Sequence, residues 1–261
     1  MQLRMPVLFV GHGSPMNAIE DNKWSRGFAR IAELIPRPAA ILCVSAHWYL
    51  PGTMVTANDQ PKTIHDFGGF PDALYAVEYP APGEPELADK VAGLLAKYRA
   101  SKNMEWGLDH GTWSVLRRMY PQADIPVIQL SIDLRKGPAE HLAVGAALAP
   151  LRNEGILIMG SGNIVHNLGY AMQAMNDDDL ATPDWAAEFD SKVEAALINH
   201  DAASLAGFPG TREGRMAHPT LDHYLPLLYA AGASDENDSV KFPITGFDLG
   251  SLSMRAVLFG E

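Results

Sequence analysis

Short apolar stretches at 6–10, 39–46, 126–132 and 155–160 punctuate the chain, each bounded by Gly, Pro or other small residues. Runs of that length predict buried strands. A shorter run at 53–57 predicts a further strand beside them. Between the runs, apolar positions recur at helical spacing. Leu87, Val91, Leu94, Leu95 and Tyr98 share one face of a helix over 85–99, with acids at its start and Lys97 and Arg99 at its end. Further helices are predicted over 138–151 and 183–199. Thr182 and Pro183 suit the start of the second, and Trp185, Phe189, Val193 and Leu197 form its apolar stripe. A helix over 219–230 is expected to be kinked at Pro226, and two strands follow near 243–248 and 252–259. Alternating strands and helices predict an α/β fold, a single three-layer domain over 1–261. The two final strands are close in sequence, so part of the sheet is expected to be antiparallel and the sheet mixed.

The stretch from Pro61 to Pro82 breaks this rhythm. It is rich in Gly, Pro and aromatic residues, with His65-Asp66-Phe67-Gly68-Gly69-Phe70 at its centre. A long loop of this kind in a compact domain is usually functional, and its aromatics predict that it is ordered. The acidic run Asp177-Asp178-Asp179 reads as a solvated loop.

Composition narrows the function classes. The formal net charge of −11 argues against nucleic-acid binding, which needs a basic face. Cys43 is the single cysteine and sits in an apolar run, so no intramolecular disulfide forms. The start, Met1 to Met5, is too short and polar for a signal peptide, and no stretch approaches the roughly 20 apolar residues of a membrane span. A cytoplasmic location without membrane contact is the expectation.

The candidate chemistry lies in the histidines. His12, His47 and His166 each follow an apolar run, and His223 closes His218-Pro219-Thr220-Leu221-Asp222-His223. Imidazoles at strand ends project into the crevice where α/β sheets bind ligands. A site poor in cysteine and rich in imidazole suits zinc, iron or copper. Ser14 and Ser161 are weaker candidates as nucleophiles, because neither sits in a Gly-x-Ser-x-Gly elbow. His141 and His200 fall among polar residues on predicted helices and read as surface groups. His218 reads as a residue near the start of the 219–230 helix.

Six segments together resemble a known family. They are His12-Gly13-Ser14-Pro15, Ser45-Ala46-His47-Trp48, His65-Asp66-Phe67-Gly68-Gly69-Phe70-Pro71, Asp109-His110-Gly111-Thr112-Trp113, Gly162-Asn163-Ile164-Val165-His166-Asn167 and Asp222-His223-Tyr224-Leu225-Pro226. They resemble the 4,5-DOPA extradiol dioxygenases, within the class III or LigB-type ring-cleaving dioxygenases, from about residue 6 to Met254. The resemblance implies a LigB-like fold and a non-haem Fe(II) enzyme that opens a catechol ring beside its two hydroxyls with O₂. It implies metal ligands at His12, His47 and His223, an acid/base at His166, and His110 and His65 beside the substrate. Many class III relatives use a glutamate as third ligand; here that position falls on His223. Asp222 is the carboxylate alternative, and on a helix it would face about 100° away. With three neutral ligands the ion keeps its full charge, and Zn(II) could occupy the site as readily as Fe(II).

Trp48, Phe67, Phe70 and Tyr224 are candidate walls for the aromatic ring, each against a plain reading as a core aromatic. Arg117, Arg118, Arg212 and Arg215 are the candidates to meet a substrate carboxylate. Two alternatives stay open: a zinc hydrolase of small amides or esters, and a non-catalytic binding protein on the same fold. A homo-oligomer is neither required nor excluded.

Overall fold

Alternate residues of the buried strands enter two separate cores. In β1 (Val7–Gly11), Val7 and Phe9 join one apolar cluster while Leu8 and Val10 join the other. In β2 (Ala40–Leu50), Leu42 and Val44 divide from Ile41 and Cys43 in the same way. Side chains alternate across a strand, so a strand apolar on both faces must be covered by helices on both faces. The computed structural model describes residues 4–174 and 181–260, so Asp177 to Asp179 lie outside the described residues.

The remaining strands are β3 (Met54–Thr56), β4 (Ser101–Asn103), β5 (Val127–Asp133), β6 (Ile156–Gly162), β7 (Val240–Ile244), β8 (Phe247–Asp248), β9 (Leu252–Ser253) and β10 (Ala256–Phe259). Eight form one sheet in the order β4-β3-β5-β2-β6-β1-β10-β7, and β8 pairs with β9 separately. β5, β2, β6 and β1 run parallel. β10 lies antiparallel to both β1 and β7, which makes the sheet mixed, as expected. Helices 85–94, 138–148, 184–198 and 225–233 cover one face. Helices 23–34 and 110–119 cover the other. Among the described residues no helix is long and apolar enough to cross a membrane.

Several expectations are corrected. β2 does not stop at residue 46 but runs to Leu50, so His47 lies inside the strand. Between Val44 and Tyr49 β2 advances five residues while β5 advances two, from Leu130 to Ile132. Such a bulge re-aims the side chains it carries, and His47 is one of them.

The last helix is Leu225–Ala233, with Pro226 in its first turn rather than at a kink. Proline fits there because the first-turn N–H groups have no partner within the helix. Asp222 and His223 therefore sit in the turn before that helix, and the 100° separation does not apply to them. His218 ends the helix Arg212–Ala217 instead of opening the next.

His141 is fully buried, with Nδ1 2.9 Å from the Tyr229 hydroxyl of the neighbouring helix. Its polar sequence neighbours point elsewhere round the helix. His200 is half-buried and left-handed (φ 51°), just past a helix end.

Candidate metal centre

Five histidines converge at the carboxyl ends of the parallel strands. His12 follows β1 directly, and its N–H donates to Gly162 O at the end of β6. His47 rides the β2 bulge. His166 lies four residues beyond β6, its N–H donating to Ala217 O. His223 is held against the same strand end, because its carbonyl accepts from Asn163 N at 2.9 Å. Only glycine permits that approach at residue 162: a Cβ there would lie 2.1 Å from His223 O. His110 opens the helix His110–Met119, which is capped by the Asp109 side chain accepting from Thr112 N. The next residue, Gly111, lets that helix end lie against His47, since a Cβ would fall 2.9 Å from the imidazole Cδ2.

The ring centroids of His12, His47 and His223 form a nearly equilateral triangle, with sides of 5.1, 5.2 and 5.0 Å. His110 packs 3.8 Å from His47 and 5.8 Å from His12. His166 stacks on His223, 3.5 Å between centroids and 3° from parallel. Ring nitrogens of His12, His47 and His110 all lie within 4.8 Å of one another, close enough to hold a metal ion together. His110 thus lies inside the histidine cluster itself.

The outer nitrogens are held from behind. His12 Nδ1 lies 2.9 Å from Ser161 Oγ, and that hydroxyl donates to Gly111 O, so it accepts from the imidazole. Asp66 serves two rings: Oδ1 meets His110 Nδ1 at 3.0 Å and Oδ2 faces His47 Nδ1 at 3.3 Å. His223 Nδ1 pairs with Asp222 Oδ2. Oxygen partners at Nδ1 orient metal-binding imidazoles and fix the tautomer that leaves Nε2 bare. The Nε2 atoms of His12 and His47 then face each other at 3.2 Å, lone pair to lone pair. A cation between them removes the repulsion. With metal–nitrogen bonds of about 2.1 Å, that spacing corresponds to an N–metal–N angle of about 100°. The donor set fits a non-haem metal.

Electrostatics agree. Burial, then the neighbouring imidazoles, hold His12 and His223 well below the usual histidine range. His47 falls to about 3, mainly through burial and the His110 charge. Burial lowers His166 to about 4. Neutral imidazole is the form a metal requires. Asp66 settles at about 2: burial alone would raise it, but hydrogen bonding and charge from His110 and the His47 charge outweigh that. Asp109 is pushed up to about 6, first by burial and then by Asp66.

The other candidates divide. Phe67 packs edge-on against His110 at 5.5 Å and joins Phe70, Tyr75 and Trp113 in an aromatic wall. His65 stands in the same wall, its Nε2 on Val77 O at 2.9 Å. Trp48 and Tyr224 fall in the core instead. Trp48 is buried and stacks on Trp106. Neighbours along a strand point to opposite faces, so Trp48 turns away where His47 turns in. Tyr224 is buried with its hydroxyl on Leu205 O and its ring against His218 and Phe189. Neither serine is poised as a nucleophile, because Ser161 bridges His12 and Gly111, and Ser14 caps a 3₁₀ turn. The sequence reading missed Asp66 and Asp109 as supports. Aspartate directly before His110, at a helix start, was the available signal for Asp109.

The aromatic ring-opening dioxygenase family, through its catalytic LigB subunit, matches residues 6–253. The chain is 48% identical to the 4,5-DOPA dioxygenase extradiol of Escherichia coli K12, over 98% of this chain and 95% of that protein. It is 40% identical to the 4,5-DOPA dioxygenase extradiol of Beta vulgaris, over 97% and 96%. A crystal structure of an uncharacterized E. coli K12 protein superimposes with a TM-score of 0.86 at 42% identity, covering 98% of this chain and all of that one. Neither the hydrolase nor the binding-protein alternative is favoured by these matches. A match of this extent, on a histidine cluster built to take a metal, means that the chain belongs to the LigB family of extradiol ring-cleaving dioxygenases.

Proposed function

We propose that the chain opens a catechol ring beside its two hydroxyls with O₂, at one metal held by His12, His47 and His223. The observation that carries the ligand choice is the near-equilateral triangle of those three rings. His110 stands off that triangle, against His47 on one side. When bound, Fe(II) supplies a Lewis acid with open positions that lowers a catechol's pKa and carries electrons between catechol and O₂.

The chain's own residues handle protons and position. His166 is neutral near pH 7, so it can accept a catechol proton at a ring nitrogen and return it later in the cycle. His110 holds one proton on Nδ1 against the charged Asp66. Sharing on Nε2 the other proton that the catechol releases, it donates toward oxygen as negative charge develops, while Asp66 balances the charge. Phe67 and His65 line the space for the ring. Both oxygen atoms of O₂ enter the product, a muconic semialdehyde. For a DOPA-like substrate cleaved at the 4,5 bond this is 4,5-seco-DOPA. The working ion is Fe(II); Zn(II) would occupy the same nitrogens without redox chemistry.

The test is anaerobic reconstitution with Fe(II) or Zn(II), followed by O₂ and L-DOPA, with absorbance followed for the ring-opened product. Colour with Fe(II) alone is the expected result. No product with either metal, across several catechols, overturns the reading.

A further inference from the structure

We propose that Asp190, a buried carboxylate outside the histidine cluster, is a positioning residue for ring opening: it fixes the strap 251–255, and that strap sets where His166 stands. The proposal rests on the acid/base reading of His166 above. His166 differs from the other histidines of the site in how it is held. His12 leans on Ser161, His47 and His110 lean on Asp66, and His223 leans on Asp222. The His166 ring stacks on His223 and has no hydrogen-bond partner among the described residues. Stacking tolerates offset between rings, so the backbone decides where the His166 nitrogens lie.

The strap, with β9 at its centre, grips that backbone on both sides. Ser253 N donates to Val165 O at 3.0 Å, and Ser251 Oγ donates to Asn167 O at 2.9 Å, so both residues flanking His166 are tied. Leu252 forms a β-bridge with His166 itself. Asn163 Nδ2 donates to Ser253 O at 2.8 Å and fixes the start of the same segment. The strap also passes close to β1: a Cβ on Gly11 would fall 2.5 Å from Ser253 O. Packing that tight transmits a displacement of the strap to the segment it holds.

Asp190 anchors the strap from behind. It lies on the helix Asp184–Ile198, and its Oδ1 accepts from Ser253 Oγ at 2.6 Å. The same carboxylate pairs with Arg255, whose Nε lies 3.2 and 3.1 Å from its two oxygens and whose Nη2 donates to Oδ2. Glu194, one turn on, accepts from Arg255 Nη2 at 2.7 Å. Asp190 and Arg255 are each 5% exposed. A buried ion pair is a poor source of stability, because desolvation of both charges offsets most of their attraction, and apolar residues of similar volume often do as well. What it supplies is direction: three donors on one carboxylate hold Ser253 and Arg255 in a single arrangement. An apolar contact would let the strap slide along the helix. A misplacement of about 1 Å at a catalytic group costs on the order of 100-fold in rate.

The experiment measures kcat and KM per bound iron in the Fe(II)-loaded protein with L-DOPA and O₂, well below the melting temperature of every variant. Asp190→Asn removes the charge. Ser253→Ala cuts only the tie between strap and helix, and it decides the matter if Asp190→Asn does not fold. Each should lose about 10- to 100-fold in kcat, with KM within about threefold of wild type. In the His166→Ala background either change should alter kcat by less than about twofold, because the group being positioned is gone. Hydrogen exchange, read by mass spectrometry, should be about 10-fold or more faster in peptides spanning 163–167 and unchanged in those spanning 40–50. A variant that melts lower yet keeps wild-type kcat per iron overturns the proposal. So does an equal loss with and without His166, which would place the effect on the rest of the site. If the wild type opens no catechol, or His166→Ala turns over normally, the reading beneath the proposal fails instead. The exchange data then still decide whether Asp190 holds the His166 segment, and unchanged exchange over 163–167 overturns that too.

Discussion

The rings of His166 and His223 lie face to face, 3.5 Å apart and 3° from parallel. His223 belongs to the triangle of rings proposed to hold the metal, and His166 has no side-chain hydrogen-bond partner of its own among the described residues. A ring supported by stacking alone is free to use both nitrogens on a bound substrate. His166→Ala should therefore keep its metal, measured by elemental analysis, and lose roughly 100-fold or more in kcat. Near-wild-type turnover would remove the acid/base role.

The triangle and the tight donor group disagree on the third ligand, and two variants separate them. His223→Ala should lose stoichiometric Fe(II) on gel filtration. His110→Ala should retain it and lose turnover. The opposite pattern would assign His110 to the metal.

Asp66 joins His47 and His110 through its two oxygens. Asp66→Asn keeps the shape and removes the charge behind both rings. Metal affinity, measured by competition with a chelator, should fall about 10- to 100-fold. An affinity within twofold of wild type would mean that the carboxylate serves only to order the loop.

His141 offers a pH test away from the metal. Burial holds it at about 4, against 6.5 for an ordinary histidine. The unfolded chain takes up this proton below pH 6.5 and the folded chain does not. Stability contributed here is fully present above pH 6.5, falls as pH drops toward 4, and is flat below that. His141→Gln can keep the Tyr229 contact and should flatten the slope by about 1.4 kcal/mol per pH unit. Denaturant melts of wild type and variant across that window, in the same metal state, would reveal parallel slopes if His141 were protonated in the fold.

Which parts were legible follows from how local each signal is. The buried strands were read within a few residues, because an apolar run between Gly and Pro needs no distant information. The helix Lys23–Leu34 was missed although Asn22 and Ser25 form its capping box and Trp24, Phe28 and Ile31 its stripe. The helix His110–Met119 was harder: all its residues but Arg117 and Arg118 are buried, so it has no polar face to mark a period. His141 misled for the complementary reason, since its neighbours in sequence are not its neighbours in space.

The sequence by itself determined the α/β class, the mixed sheet, and the histidines that follow its apolar runs. Those are properties of residue type and short-range order. Tertiary structure decided what stands behind each imidazole and how far apart the rings lie. Asp66 lies 44 residues from His110 and 19 from His47, and Ser161 lies 149 from His12. Only the sheet order and the β2 bulge bring such pairs to hydrogen-bonding distance, where an oxygen can fix a tautomer and aim a bare nitrogen at a metal.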